Sequence, residues 1–413
     1  MINSSNLDVL PPEMTYTVPN SPISAGVGHY AVIDDQNMLH MGGNYEYKRN
    51  FDYESDLGKL SKTSVLKRKV RSVSCGNFFT GAVTNDGKVY FWGERLGPFF
   101  GDKNPKILEP REFPISGRAI KITCGPKTEG RILATFAVIL EDRSVFLRMD
   151  YLFPDSTNPY SVGTGIKRKI STKLNIKALD ISTNGYGLAI ISTDGKLYYL
   201  GKSLFGDGED VGITYKDGQI IINPVHIPIS EKIKQVSLAF GYIGVISVKG
   251  NIYLWGENEY GQLGQGWAPR TEFSEREGGY ADEMEYFVDR PRKLLFPRNI
   301  SFISCQDETT SVIDENGELY RWGRNRGFID PSQYTGLEDI IVDNVFFEMG
   351  YENAERNAVI PRPIQIGIEL TDTSMENKFN YVAIGMKMVI STTRDGVVNV
   401  WNENKYPDQI FIY

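Results

Sequence analysis

The chain has 413 residues, 41% of them hydrophobic and 23% charged, the balance of an ordinary globular protein rather than a disordered or membrane-embedded one. Its 52 acidic residues outnumber 45 basic ones for a formal net charge of −7. That argues against nucleic acid as a partner, because duplex affinity rests on neutralising phosphates. The N-terminus carries no basic and apolar leader, no apolar run is long enough to span a bilayer, and three cysteines make no complete disulfide framework. A soluble intracellular protein of cytoplasm or nucleus is expected.

In chain order, one phrase recurs: apolar strand, small residue, second apolar strand, tight turn, aromatic-rich strand. The first copy runs Ile23-Ser24-Ala25-Gly26-Val27-Gly28-His29-Tyr30-Ala31-Val32-Ile33 to a turn at Asn37. Ser74-Cys75-Gly76 opens the second, which turns at Gly87 and ends Val89-Tyr90-Phe91-Trp92-Gly93. The third is degenerate, reading Asp142-Arg143-Ser144-Val145-Phe146-Leu147 with no glycine. The fourth turns at Gly195, the fifth at Gly250, the sixth at Gly317 and the seventh at Gly396. Each copy predicts half-buried strands around Gly turns, with room for four strands in about 50 residues. A unit unable to bury its own apolar face must stack on its neighbours. The last two intervals are the longest, which predicts insertions at 267–290 and 327–360 rather than extra copies.

The fifth copy contains Trp255-Gly256-Glu257-Asn258-Glu259-Tyr260-Gly261-Gln262-Leu263-Gly264, and the first contains Gly26-Val27-Gly28-His29 and Gly42-Gly43-Asn44. These residues resemble the repeat of the regulator of chromosome condensation family. Other copies depart from it, with Phe79, Thr309 and Met388 at the His position. The resemblance implies an all-β fold, a seven-bladed β-propeller of four-stranded antiparallel blades forming one domain over 1–413. Because little chain follows Trp401, the N-terminal segment 1–22, with strand character at Met14 to Val18, is expected to pair into the last blade and close the ring.

Trp92, Trp255, Trp322 and Trp401 share one register, which predicts wedge packing between blades. Cys75, Cys124 and Cys305 share another, which predicts small buried side chains in one layer. His29, His40 and His226 lack partners at metal spacing, and no nucleophile elbow or phosphate loop occurs, so no catalytic, metal or cofactor site is expected. The basic runs Lys67-Arg68-Lys69-Val70-Arg71 and Lys167-Arg168-Lys169 read as solvated edges or the opposite face.

The insertions hold most of the charge. Residues 267–290 sum to −4 and residues 327–360 to −6, leaving +3 for the remainder. Both follow the aromatic strand of their copies and so are expected on one face. Leu337, Ile340, Ile341 and Val345 fall at helical spacing. The candidate partner-binding residues are Trp267, Phe273, Tyr280, Glu283, Tyr286 and Phe287 in the first insertion, and Phe328, Tyr334, Phe346, Phe347 and Tyr351 in the second. Aromatic anchors with acidic rims suit a basic or amphipathic protein partner.

The function expected is therefore a non-enzymatic interaction scaffold without cofactors. Two alternatives stand beside it. The resemblance implies a guanine-nucleotide exchange factor for a small GTPase, although no exchange hairpin is found at a matching position. A composition rich in Ile, Asn, Lys and Tyr suits an AT-rich genome, leaving a host-directed effector or a component of a large virus particle as the other.

Overall fold

The computed structural model describes residues 20–44, 61, 65–94, 96–97, 100–104, 106–125, 135–153, 166–204, 209–216, 218–265, 287–324, 358–363, 378–385, 388–402 and 405–411. Among these there is no helix of the α type; antiparallel sheets account for the fold. The second, fifth, sixth and seventh copies each form a four-stranded sheet in chain order. In the fifth these strands are Ile233–Leu238, Tyr242–Ser247, Ile252–Glu257 and Phe287–Leu294. In the sixth they are Ile300–Gln306, Thr309–Asp314, Leu319–Gly323 and Ala358–Pro363. The first copy contributes Ile23–Ala25, His29–Ile33 and Leu39–Gly43. Ser61 and Val65 bond to Met41 and Leu39 of its third strand through the backbone.

The turns between second and third strands fall where the repeat places them. Gly87, Gly195, Gly250, Gly317 and Gly396 have φ between +82° and +89°, and Asn37 and Arg143 stand at +66° in the same role. The third copy thus keeps its turn without its glycine. Side chains staple most of these turns: Thr84, Ser192, Ser247 and Thr393 hydroxyls accept the N–H four residues on, as do the Asp34 and Asp314 carboxylates.

Two features differ from the sequence expectation. The third and fourth copies share a strand, Ile166–Thr183, and so belong to one eight-stranded sheet. Its first part pairs with Ser144–Phe153 as the outer strand of the third copy; from Ala178 it pairs with Gly187–Ser192 as the inner strand of the fourth. Burial changes at the same point, alternating through Leu174 and continuous over residues 178–181. No Gly or Pro interrupts the run, so nothing ends the strand.

The second difference corrects the expected closure. The fourth place in the last sheet is filled by Lys405–Phe411, beside Val397–Asn402, and not by an N-terminal strand. Pro407 weakens the sequence signal for a strand there, but an edge strand tolerates proline. The segment from Met14 to Val18 lies outside the described residues.

The innermost strand of each copy packs on those before and after it, and Ile23–Ala25 also meets Phe379–Ile384 and Met388–Thr393. Hydroxyls bridge these strands. Ser24 Oγ accepts the Cys75 N–H (2.9 Å), Ser74 the Cys124 N–H (2.9 Å) and Thr123 the Thr183 N–H (3.2 Å). Ser182 accepts the Leu238 N–H (2.9 Å) and Ser237 the Cys305 N–H (2.8 Å). Inner strands of different copies form no backbone ladder with one another, so these bonds satisfy amide donors that face the neighbouring copy. The approach is close: a Cβ on Gly26 would stand 2.3 Å from the Gly76 carbonyl oxygen, and one on Gly385 2.3 Å from that of Gly26.

Removing one bridge strands a buried N–H, which costs about 1–3 kcal/mol. Ser182→Ala should lower the urea midpoint accordingly with an unchanged slope, while Ser182→Thr retains most of the stability. At the glycine-free turn the opposite sign is expected. Left-handed backbone costs a non-glycine residue about 1 kcal/mol, so Arg143→Gly should raise stability by up to about that amount in the same titration.

Candidate functional site

In each copy with four described strands, the link between first and second strands and the link between third and fourth strands lie at one end of the sheet. At that end the fifth copy's Trp-Gly-x-Asn run becomes a clasp. Asn258 Oδ1 accepts the Leu263 N–H (2.9 Å), and Gln262 Oε1 accepts the Tyr260 N–H (2.8 Å). Asn258, Gln262 and Leu263 are fully buried. The Gln262 carbonyl then reaches the sixth copy, accepting the Trp322 indole N–H (2.9 Å) and the Thr310 hydroxyl (2.8 Å). Over this clasp the Arg324 guanidinium lies 4.6 Å from the centre of the Tyr260 ring and 3.7 Å from a Glu308 carboxylate oxygen.

The clasp joins the roots of the two insertions. The first departs beyond Gln265 and returns at Phe287; the second departs beyond Arg324 and returns at Ala358. The described chain therefore brings the two departure points into contact through Gln262 and Trp322. Of the candidate partner-binding residues, Phe287 alone is described; it is 37% exposed and pairs with Glu257 at the end of its strand. Trp267, Phe273, Tyr280, Glu283, Tyr286, Phe328, Tyr334, Phe346, Phe347 and Tyr351 lie outside the described residues, as does the helical spacing at Leu337 to Val345.

The packing assignments from sequence hold where they can be seen. Trp92, Trp255 and Trp322 are buried between copies. Cys75, Cys124 and Cys305 are buried free thiols; burial pushes Cys75 and Cys305 up to about 12, and Cys124 also upward. Such thiols are poor nucleophiles.

Two sets of residues escaped the sequence reading. One is the hydroxyl belt, whose signal is a Ser or Thr at one repeat position in copies one to six, two residues before Gly26, Gly76, Gly125, Asn184, Ala239 and Gln306: Ser24, Ser74, Thr123, Ser182, Ser237 and Ser304. These side chains line a cavity of about 180 Å³ at the centre of the inner strands. Nearby, Lys121 Nζ lies 2.5 Å from Asp180 Oδ1, and Asp180 also accepts the Val236 N–H (3.1 Å), so one buried carboxylate ties the third, fourth and fifth copies. The other is an aromatic pair on the loops of the fourth and fifth copies, Tyr186 and Phe240, with ring centres 5.7 Å apart. Its signal was aromatic residues at the two outward positions of the Gly-x-x-His element. Among the described residues no group of three or more His, Cys, Asp or Glu is placed to hold a metal, and no helix is long and apolar enough to cross a membrane.

The sequence profile of the regulator of chromosome condensation (RCC1) repeat matches residues 249–313, the stretch that contains the clasp. This match and the relatives below support a divergent member of the regulator of chromosome condensation repeat family. Among family relatives, the ultraviolet-B receptor UVR8 of Arabidopsis thaliana is 24% identical over 281 residues, which is 64% of this chain and 59% of the receptor. The secretion-regulating guanine nucleotide exchange factor of Bos taurus is 23% identical over 324 residues, 73% of this chain and 66% of that protein. The chain thus spans less than two thirds of either relative. Among solved structures, Prp20p of Saccharomyces cerevisiae, reported with its binding to Gsp1p and histones, superposes with a TM-score of 0.60 at 17% identity, over 89% of this chain and 81% of that one. At this identity the likeness is one of fold, that of a β-propeller.

The family's His position is occupied here by His29, wholly buried under the first loop. Burial outweighs its backbone hydrogen bonds and pushes its imidazole down to about 4 from the usual 6.5. The folded chain therefore refuses a proton that the unfolded chain accepts. Stability contributed by neutral His29 is complete above pH 6.5 and is lost as pH falls towards 4, a loss of about 3 kcal/mol. His29→Phe, which installs the residue type found at Phe79, should remove this component from the pH dependence of urea unfolding.

Proposed function

We propose that this chain is a non-enzymatic interaction scaffold, a single domain whose seven units close into one propeller. Partner binding runs through the loops at the clasped end. The contact of Ile23–Ala25 with the seventh sheet supports closure by packing of the first unit on the last. One observation carries the functional reading: the clasp of Gln262 on Trp322 sets the departure points of two long acidic insertions side by side on adjacent rigid sheets. Long loops on a rigid frame are where propeller-like folds place recognition. The insertions, 267–290 and 327–360, then share one face, and their aromatic residues serve as anchors within an acidic rim. A basic or amphipathic protein is the partner that this charge favours, and no cofactor is required.

Simultaneous alanine substitution of Tyr286, Phe287, Phe346 and Phe347 tests the reading. Proteins retained from native lysate by the wild-type chain should fall at least about tenfold on the variant, with the thermal midpoint unchanged. Equal retention by a folded variant defeats the proposal.

A second reading has one specific support, the similarity over 324 residues to a protein named as a guanine nucleotide exchange factor. Accelerated release of labelled GDP from a panel of small GTPases would favour it. Exchange would operate through protein contacts alone, and no residue of this chain is assigned to it.

A further inference from the structure

Tyr186 and Phe240 form a surface feature separate from the insertions. Their rings meet edge to face, 5.7 Å apart at an interplanar angle of 72°. Asn184 sets both loops: its Nδ2 donates to the Ala239 carbonyl (2.9 Å), and its Oδ1 accepts the Tyr186 and Gly187 N–H groups (2.9 and 2.8 Å). Asn184 is buried whereas Phe240 is 49% exposed, so a fixed base presents a water-facing ring. The copies already fill their interior with Tyr242, Trp255 and Trp322, and packing does not call for a further aromatic at the surface. Next to Phe240 the Glu257 side chain folds over Gly241, and Glu257 pairs across its strands with Phe287. The result is a strip running Tyr186, Phe240, Glu257, Phe287 along the clasped end.

The net charge around the strip is negative. The described loops of the fourth to sixth copies at this end hold Glu209, Asp210, Glu257, Glu259, Asp307 and Glu308 against Lys202, Lys216 and Arg324, a formal balance of −3. The insertions from the fifth and sixth copies add −10 in sequence. A polyanion or a second copy of this acidic chain would be repelled.

We propose that the Tyr186–Phe240 pair anchors a basic, amphipathic segment of a partner protein. An apolar side chain of that segment lies on the Phe240 ring, with lysines or arginines directed to the surrounding carboxylates. Pre-set rings lose little freedom on binding, which suits them to act as anchors, and a cation over an exposed aromatic face adds to the attraction. This names the partner chemistry and a first contact for the scaffold proposed above, and it rests on that reading.

The test uses the full chain and a fluorescein-labelled peptide alternating lysine with leucine, followed by anisotropy. Serine-for-leucine and glutamate-for-lysine peptides serve as controls. The lysine–leucine peptide should bind, both controls should bind much more weakly, and rising salt should weaken the complex. Phe240→Ala should reduce affinity about tenfold or more with an unchanged thermal midpoint, and Tyr186→Ala should weaken it to a smaller degree. Equal binding by folded Phe240→Ala and wild type overturns the anchor. If the Tyr286, Phe287, Phe346 and Phe347 variant nonetheless loses its partners, the scaffold reading survives that failure. Equal binding of the serine control also overturns the anchor, because attraction would then be charge alone. Should no peptide bind while lysate partners still require the insertion aromatics, the anchor again falls alone.

Discussion

Neighbouring inner strands in this protein meet side by side and are not ladder partners, even within the sheet that the third and fourth copies share. The amides that face across the gap must still find acceptors. A hydroxyl supplied from the preceding copy, Ser24 to Cys75, Ser74 to Cys124, Thr123 to Thr183, Ser182 to Leu238 and Ser237 to Cys305, meets that demand. The bond fixes axial register between copies as well as satisfying a donor. Small residues at Gly26, Gly125 and Gly385 follow from the same constraint, since a side chain there would collide with the adjacent backbone. The outer apolar layers then consolidate a spacing that the centre has already set.

The meeting of first and last copies uses different means. The seventh copy carries Ala383 where copies one to six carry Ser or Thr, so it has no hydroxyl to offer the first. An apolar cluster joins them instead, with Ile23, Tyr30 and Val32 against Met388, Ile390 and Val400. Hydrophobic contact is non-directional, so this boundary is held by shape and area rather than by a directed bond.

How much of this was legible from sequence depended on whether a residue's task was local. Turn positions were, because a positive φ leaves a mark within four residues, and Arg143 could be placed by spacing even without glycine. The layers of Trp92, Trp255 and Trp322 and of the cysteines were legible because equivalent positions share one environment. The strand Ile166–Thr183 was not: its boundary between two copies is a change in burial, with no breaker residue to announce it. Lys405–Phe411 was missed because little chain follows Trp401; the strand begins three residues after Asn402, so the short stretch suffices. The Tyr186–Phe240 pair was hidden by the same periodicity that exposed the fold, since an aromatic in an apolar repeat reads as core until its facing is known. Of the insertion residues, Phe287 is placed at a sheet end, where it is exposed.

Because Lys405–Phe411 completes the last sheet from adjacent chain, that copy is a contiguous stretch rather than a composite of both termini. In evolutionary terms such a module can be duplicated or deleted whole without dividing a hydrogen-bonded sheet. The third and fourth copies do not share this freedom. A recombination point within Ile166–Thr183 would leave one partner without its rim and the other without its hub, so these two are expected to travel through descent as a single inherited block.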